Sequence, residues 1–130
     1  MAILTTTGKQ WLVDKVRATG GGASGTAQAS PNDTMKYIGW GTGTTAESAA
    51  QTALITPSAE ARVAGTISSP SAALHRVVGT LTSSSSQTIS EVGLFDQLAT
   101  GGTMLIRAVF TGVVLNSGDQ ITFTIDLTQS

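Results

Sequence analysis

The last strand-like segment constrains the fold of this chain more than any other. Within residues 120–128, Ile121, Phe123, Ile125 and Leu127 alternate with Thr122, Thr124, Asp126 and Thr128. A side-chain period of two is that of a β-strand, with one apolar and one polar face. The apolar face must be buried against something, so this strand implies a sheet with a second layer over it. Upstream, residues 62–68, 74–82, 87–94 and 104–111 are also strand-like. They are separated by turn-forming runs at Ser69-Pro70-Ser71, Ser83 to Ser86, Thr100-Gly101-Gly102 and Asn116 to Asp119. Short strands at this spacing predict a mainly β protein: an antiparallel β-sandwich or small barrel, with a jelly-roll-like arrangement among the options.

Composition agrees. Charged residues make up 12% of the 130 residues, about half the ~25% usual for a soluble domain, while apolar residues make up 40%. Thr, Ser, Gly and Ala take the place of the missing charge, which favours strands and turns. Disorder needs low hydrophobicity with high net charge, and the net charge here is −1. Such a charge offers no footprint for nucleic acid or an anionic membrane. A weakly charged surface is also a poor solubiliser, which points to part of it being covered in the working state.

Residues 1–34 read as an N-terminal arm, a short helix and a glycine-rich loop, and residues 35–130 as the β-sandwich domain. The helix is expected from Thr7 to Arg17, with Thr6 or Thr7 as its cap and Trp11, Leu12 and Val16 on one side. Gly20-Gly21-Gly22 would stop it, and linker-like sequence continues to Pro31. Residues 35–41, Met-Lys-Tyr-Ile-Gly-Trp-Gly, read as a strand. Thr44-Thr45-Ala46-Glu47 has the spacing of a capping box, which would start a short helix over the following residues. The first residues lack a basic stretch followed by an apolar core, and no run reaches the ~18 apolar residues of a membrane span. Synthesis in a cytoplasm-like compartment is the expectation.

The residues that carry chemistry are sparse. With no cysteine, thiol catalysis, disulfides and Cys-based zinc sites are excluded. The one histidine, His75, lies inside a strand-like run without a nucleophile elbow or an orienting carboxylate beside it, so it is read as structural. The carboxylates show no metal-binding spacing. Glu91, in a strand, is expected to be buried and paired with Arg107 or Arg76, since a charge inside a sheet needs a partner. Gly39-Trp40-Gly41-Thr42-Gly43-Thr44-Thr45 lacks both the third glycine of a dinucleotide loop and the lysine of a Walker loop. No catalytic residue, cofactor or metal site is therefore expected. The candidate contact residues are Ile3 and Leu4 on the arm, Trp11, Tyr37, Trp40 and Arg107. Of these, Trp11 and Trp40 can serve either the core or an interface.

Four segments carry a resemblance: Lys36-Tyr37-Ile38-Gly39-Trp40-Gly41-Thr42-Gly43-Thr44-Thr45, Ile89-Ser90-Glu91-Val92-Gly93-Leu94-Phe95-Asp96, Gly101 to Phe110, and Leu115 to Asp119. In this order the chain resembles small structural proteins of tailed-phage particles, described as capsid decoration (cement) proteins or as tail-fibre-type proteins. The resemblance implies a protein without enzymatic activity. It would sit on the outer surface of the head, most often as a homotrimer, and bridge subunits of the major capsid protein. The alternative it allows is a small tail or fibre-attachment component. It also implies two antiparallel strands joined across Asp96 to Thr103. An apolar, Thr-rich arm from Met1 to Thr7 is suited to adding a strand to a neighbour's sheet edge.

Overall fold

The computed structural model describes residues 2–10, 12, 35–71 and 73–128. Among these residues, eight strands build two antiparallel sheets: β1 (Ile3–Leu4), β2 (Tyr37–Gly41), β3 (Val63–Ala64), β4 (Thr66–Ser71), β5 (Leu74–Thr82), β6 (Gln87–Phe95), β7 (Met104–Leu115) and β8 (Gln120–Thr128). The first sheet has the order β1-β7-β6-β2-β3 and the second β4-β5-β8. A short helix, α1, covers residues 6–10, and residue 12 is helical as well. The mainly β, sandwich-like architecture expected from the alternation is the one observed.

The alternating segment is β8, and it pairs with β5 along its whole length, from Leu74 opposite Thr128 to Thr82 opposite Gln120. On the solvent face of this ribbon the Thr80 and Thr122 hydroxyls meet at 2.8 Å. There Arg76 grips Asp126 with two hydrogen bonds of 2.7 and 2.9 Å. On the other face, Ile121, Phe123, Ile125 and Leu127 pack against the intersheet core. That core joins Val77 and Leu81 of β5 to Ile38, Trp40, Val92, Leu94, Ile106 and Leu115 of the first sheet.

The chain crosses between the sheets at adjoining turns. One connects β5 to β6 and the other β7 to β8. They are tied together by Ser83 N–H to Asp119 O and Gly118 N–H to Ser83 O, both 2.7 Å. On one side of the sandwich, only Gly65 separates β3 in the first sheet from β4 in the second, and its N–H bonds Lys36 O at 2.7 Å.

Several sequence expectations need correction. The cap of α1 is Thr5, not Thr6 or Thr7: its Oγ1 accepts the Gly8 N–H at 2.9 Å, and its carbonyl accepts the Lys9 N–H at 2.9 Å. Thr5 can play this part because β1 ends at Leu4, and Thr5 is itself fastened to β7 through Leu105 O and Met104 O. Trp11, residues 13–17 of the expected helix and the glycine-rich loop lie outside the described residues. Ser69-Pro70-Ser71 is not a turn but part of β4, where the register slips between Ser68 and Ser71. Proline is tolerated there because β4 is an edge strand with a bulge. β7 also runs on to Leu115, past the residue 111 at which its sequence pattern fades.

No helix forms after the Thr44 to Glu47 capping box. Residues 42–62 are irregular apart from a single bridge between Gly41 and Pro57. The box fails because its carboxylate is drawn elsewhere: Glu47 Oε2 accepts the Val109 N–H of β7 at 2.8 Å. No helix in the described residues is long and apolar enough to cross a membrane.

Candidate functional site

The segment 42–62 lies against the face of the first sheet that looks away from the second, and one carboxylate pins it there. Glu91, on β6, has no exposed surface. Its Oε2 accepts N–H groups from Gly43 at 3.1 Å and Thr56 at 2.8 Å, and its Oε1 accepts the Ile55 N–H at 3.0 Å. Arg107 of β7, equally buried, donates Nε–H to Glu91 Oε1 at 2.8 Å. Its Nη2 lies 2.8 Å from the same oxygen, close enough to pair the charges although its protons are not aimed along a hydrogen bond. Nη1 reaches Thr45 O at 2.9 Å and Gln51 Oε1 at 3.0 Å. Burial is the strongest influence on the Glu91 carboxyl and pushes its pKa up. The N–H groups of Thr56 and Ile55, with Arg107, outweigh burial and hold it below the ordinary carboxylate range.

This arrangement explains Gly41 and Gly43. A Cβ at Gly41 or Gly43 would stand 2.6 Å from Glu91 Oε2, so the loop backbone can approach the carboxylate only without side chains. The Gly-x-Gly spacing, which lacks the marks of a phosphate loop, thus surrounds an internal anion, the Glu91 carboxylate. Ser90 adds a further tie, donating from Oγ to Gly43 O at 2.8 Å.

A second carboxylate, Glu60, gathers the end of the same segment. Trp40 donates its indole N–H to Oε1 at 3.1 Å, and Gln87 Nε2 lies 3.0 and 3.1 Å from the two oxygens. Ser84 N–H reaches Oε2 at 2.8 Å, and the Ser58 hydroxyl binds Oε1. Burial again acts to raise the Glu60 pKa, but the donors from Ser58, Ser84 and Gln87 carry it far below the usual range. Arg62 then fastens the β6–β7 connection. Its guanidinium carbon lies 3.5 Å from the centre of the Phe95 ring, and Nη1 donates to Gln97 O, Ala99 O and Gly101 O at 2.8–3.0 Å. Asp96 and Thr103 close that connection, with Thr103 N–H on Asp96 Oδ1 at 2.8 Å.

These groups border a cleft of about 530 Å³, floored by Gly39, Trp40 and Phe95 and walled by Glu60, Arg62 and Leu98. Its chemistry is that of a fastened surface. A general base needs a free lone pair and a pKa near the working pH. Glu60 and Glu91 have neither: each is held ionised and surrounded by donors. His75 Nε2 is engaged with Met35 O at 3.1 Å. Among the described residues no group of three metal-ligating side chains converges.

The candidate contact residues divide clearly. Trp40 and Arg107 are 1% and 0% exposed, so both serve the interior and offer no contact surface in this state. Glu91 pairs with Arg107, the first of the two partners expected for it, while Arg76 is taken by Asp126. Tyr37 is half-buried beside a small second core of Leu54, Phe95 and Met104 beneath the irregular segment. Ile3 and Leu4 are half-buried in β1, paired with Arg107 and Ile106 of the chain's own β7. Trp11 lies outside the described residues. Sequence reading missed Glu60 and Arg62; a lone carboxylate, and an arginine at the first position of a strand-like run, carry no motif signal.

No family model matches the chain, and neither a curated protein nor a solved structure matches it.

Proposed function

We propose that the protein is a structural component of a tailed-phage particle. In this reading it is a capsid decoration protein that binds the outer surface of the head and stabilises the shell by bridging major capsid subunits. The observation that carries the reading is where the resembling segments lie. Gly41 and Gly43 come from the first segment and Glu91 from the second. Arg107 comes from the third, and all of them meet at one buried ion pair. Asp96 and Thr103, also from the second and third, close the adjoining turn. Residues that carry a resemblance and converge on one fastening are those a shared fold needs, which favours common architecture over chance likeness.

The mechanism is avidity. A small domain that engages several shell subunits at once needs only a modest patch on each, because the later contacts form at high effective concentration. An internal ion pair suits such a protein: it pins an irregular surface segment into a fixed shape without placing net charge outside. Labelling the protein in purified particles tests the proposal. Signal spread over the whole head is expected. Signal confined to the tail or a single vertex would replace it with the tail-component reading, and absence from particles would end both.

A further inference from the structure

Three arginines fall among the described residues, and two of them meet a carboxylate with the same edge of the guanidinium. Arg76 sets Nε and Nη2 against the two oxygens of Asp126, at 2.7 and 2.9 Å. Arg107 sets Nε and Nη2 against Glu91 Oε1, both at 2.8 Å. Arg62 departs from this pattern. Every hydrogen bond it makes to a described residue leaves from Nη1, toward the carbonyls of Gln97, Ala99 and Gly101. Its Nε and Nη2 form a fork without a partner among the described residues, and neither is a buried orphan like Arg107 Nη2. The nearby carboxylates are engaged elsewhere. Glu60 takes donors from Trp40, Ser58, Ser84 and Gln87, and Asp96 Oδ1 takes the Thr103 N–H.

The fork is also held in place. Phe95 lies beneath the guanidinium, three carbonyls fix Nη1, and the side chain crosses Gly39. A Cβ at Gly39 would stand 3.2 Å from Arg62 Cγ and 3.6 Å from Nε, so the fork reaches the floor of the 530 Å³ cleft. Much of the remaining lining is apolar, with Leu54, Pro57, Ala59 and Leu98. One preset polar group among apolar walls, in a cleft of this size, is the make-up of a small-ligand site.

We propose that this cleft binds a carboxylate borne on a short apolar group. The two carboxylate oxygens take the Nε–H and Nη2–H of Arg62, as those of Asp126 do at Arg76, and the apolar part lies against Leu54 and Leu98. The planar fork matches a carboxylate in shape as well as charge. A cationic ligand would be repelled by it. A single negative charge suits the cleft better than the double charge of a phosphate, because Glu60 borders the cleft and Asp96 acts on Arg62. Being already fixed, the guanidinium loses little freedom on binding. A free small acid and the C-terminal end of a protein chain both present this chemistry. The site is built within one chain and needs no place on a phage head.

Nuclear magnetic resonance on the full chain, at about pH 6 and constant ionic strength, tests it. Hexanoate should move the Arg62 Nε–H resonance downfield and saturably, together with the amides of residues 54, 62 and 98. Hexanamide lacks the charge and acetate the apolar body, so each should bind about tenfold or more weakly. Leu98→Asp, at a residue 53% exposed, adds a negative charge to the lining and should weaken hexanoate about tenfold with the fold intact. Arg62→Met should abolish binding; should that variant not fold, the wild-type resonance and Leu98→Asp decide. Acetyl-Ala-Ala-Leu with a free C-terminus separates the sources: tighter binding than hexanoate assigns the ligand to a chain end, weaker binding to a free acid. The proposal is overturned if the Arg62 Nε–H does not respond saturably, if hexanamide matches hexanoate, or if folded Leu98→Asp binds as the wild type does. A response confined to Arg76 or Lys36 overturns it as well.

Discussion

Arg107 stands directly opposite Gly93 in the β6–β7 ladder yet spends its charge on Glu91, the diagonal neighbour whose own opposite residue is Val109. Diagonal pairs in a sheet are within reach of long side chains, and the guanidinium spans the gap while its far nitrogen holds the irregular segment. The pair is buried, so its two halves are not independent. Glu91→Gln should cost about 3–5 kcal/mol, because it leaves a buried cation without its partner. Glu91→Gln combined with Arg107→Met should cost clearly less than the sum of the two single changes. Urea denaturation of the three variants measures this.

Acid should weaken the fold in a defined window. Glu91 and Glu60 are held below the ordinary carboxylate range in the folded chain. In the unfolded chain they titrate near ~4.3. A lowered folded value means that the unfolded state takes up protons first as pH falls. Their contribution is therefore complete above the unfolded value and is lost as pH drops through it toward the folded values. The urea midpoint should stay level from neutrality to about pH 5.5 and decline below. Glu91→Gln should flatten that decline.

The arm should be separable from the sandwich by one methyl group. A Cβ at Gly8 would lie 2.6 Å from Leu105 Cα and 2.7 Å from its carbonyl oxygen, and β-strand backbone cannot yield. Gly8→Ala should lift α1 off β7 and expose residues 2–10 to limited proteolysis. The β5–β8 ribbon, held along its whole length by its own ladder, should keep its amide protection. Thr5→Ala removes the cap and should produce a milder version, about 0.5–2 kcal/mol.

Arg62 makes a further prediction. Lysine retains the charge but not the planar group that lies over Phe95 while Nη1 gathers three carbonyls. Arg62→Lys should speed amide exchange in residues 97–102 severalfold, leaving β5 and β8 unaffected.

What could be read in advance follows from how each element is specified. The limits of β5 and β8 were legible because their paired faces impose a period of two on Thr, Ile, Leu and Val, and turn residues bound them at 83–86 and 116–119. The Glu91 to Arg107 pair was legible because a charge in a strand needs an opposite charge. The irregular segment was not. Its shape is dictated by partners remote in sequence, and the local capping-box signal lost to Val109, a partner 62 residues away. The two-residue β1 is too short to show a period, and its Thr5 gains its role only by resting on β7.

Glu91 grips the irregular segment by the peptide N–H groups of Gly43, Ile55 and Thr56 rather than by their side chains. Every residue except proline brings the same N–H, so the grip is indifferent to most identities at positions 55 and 56. Exposed positions along the segment are thereby free to vary under selection while its path stays the same. A lineage of such proteins can rewrite its outer relief, one substitution at a time, on an unchanged frame.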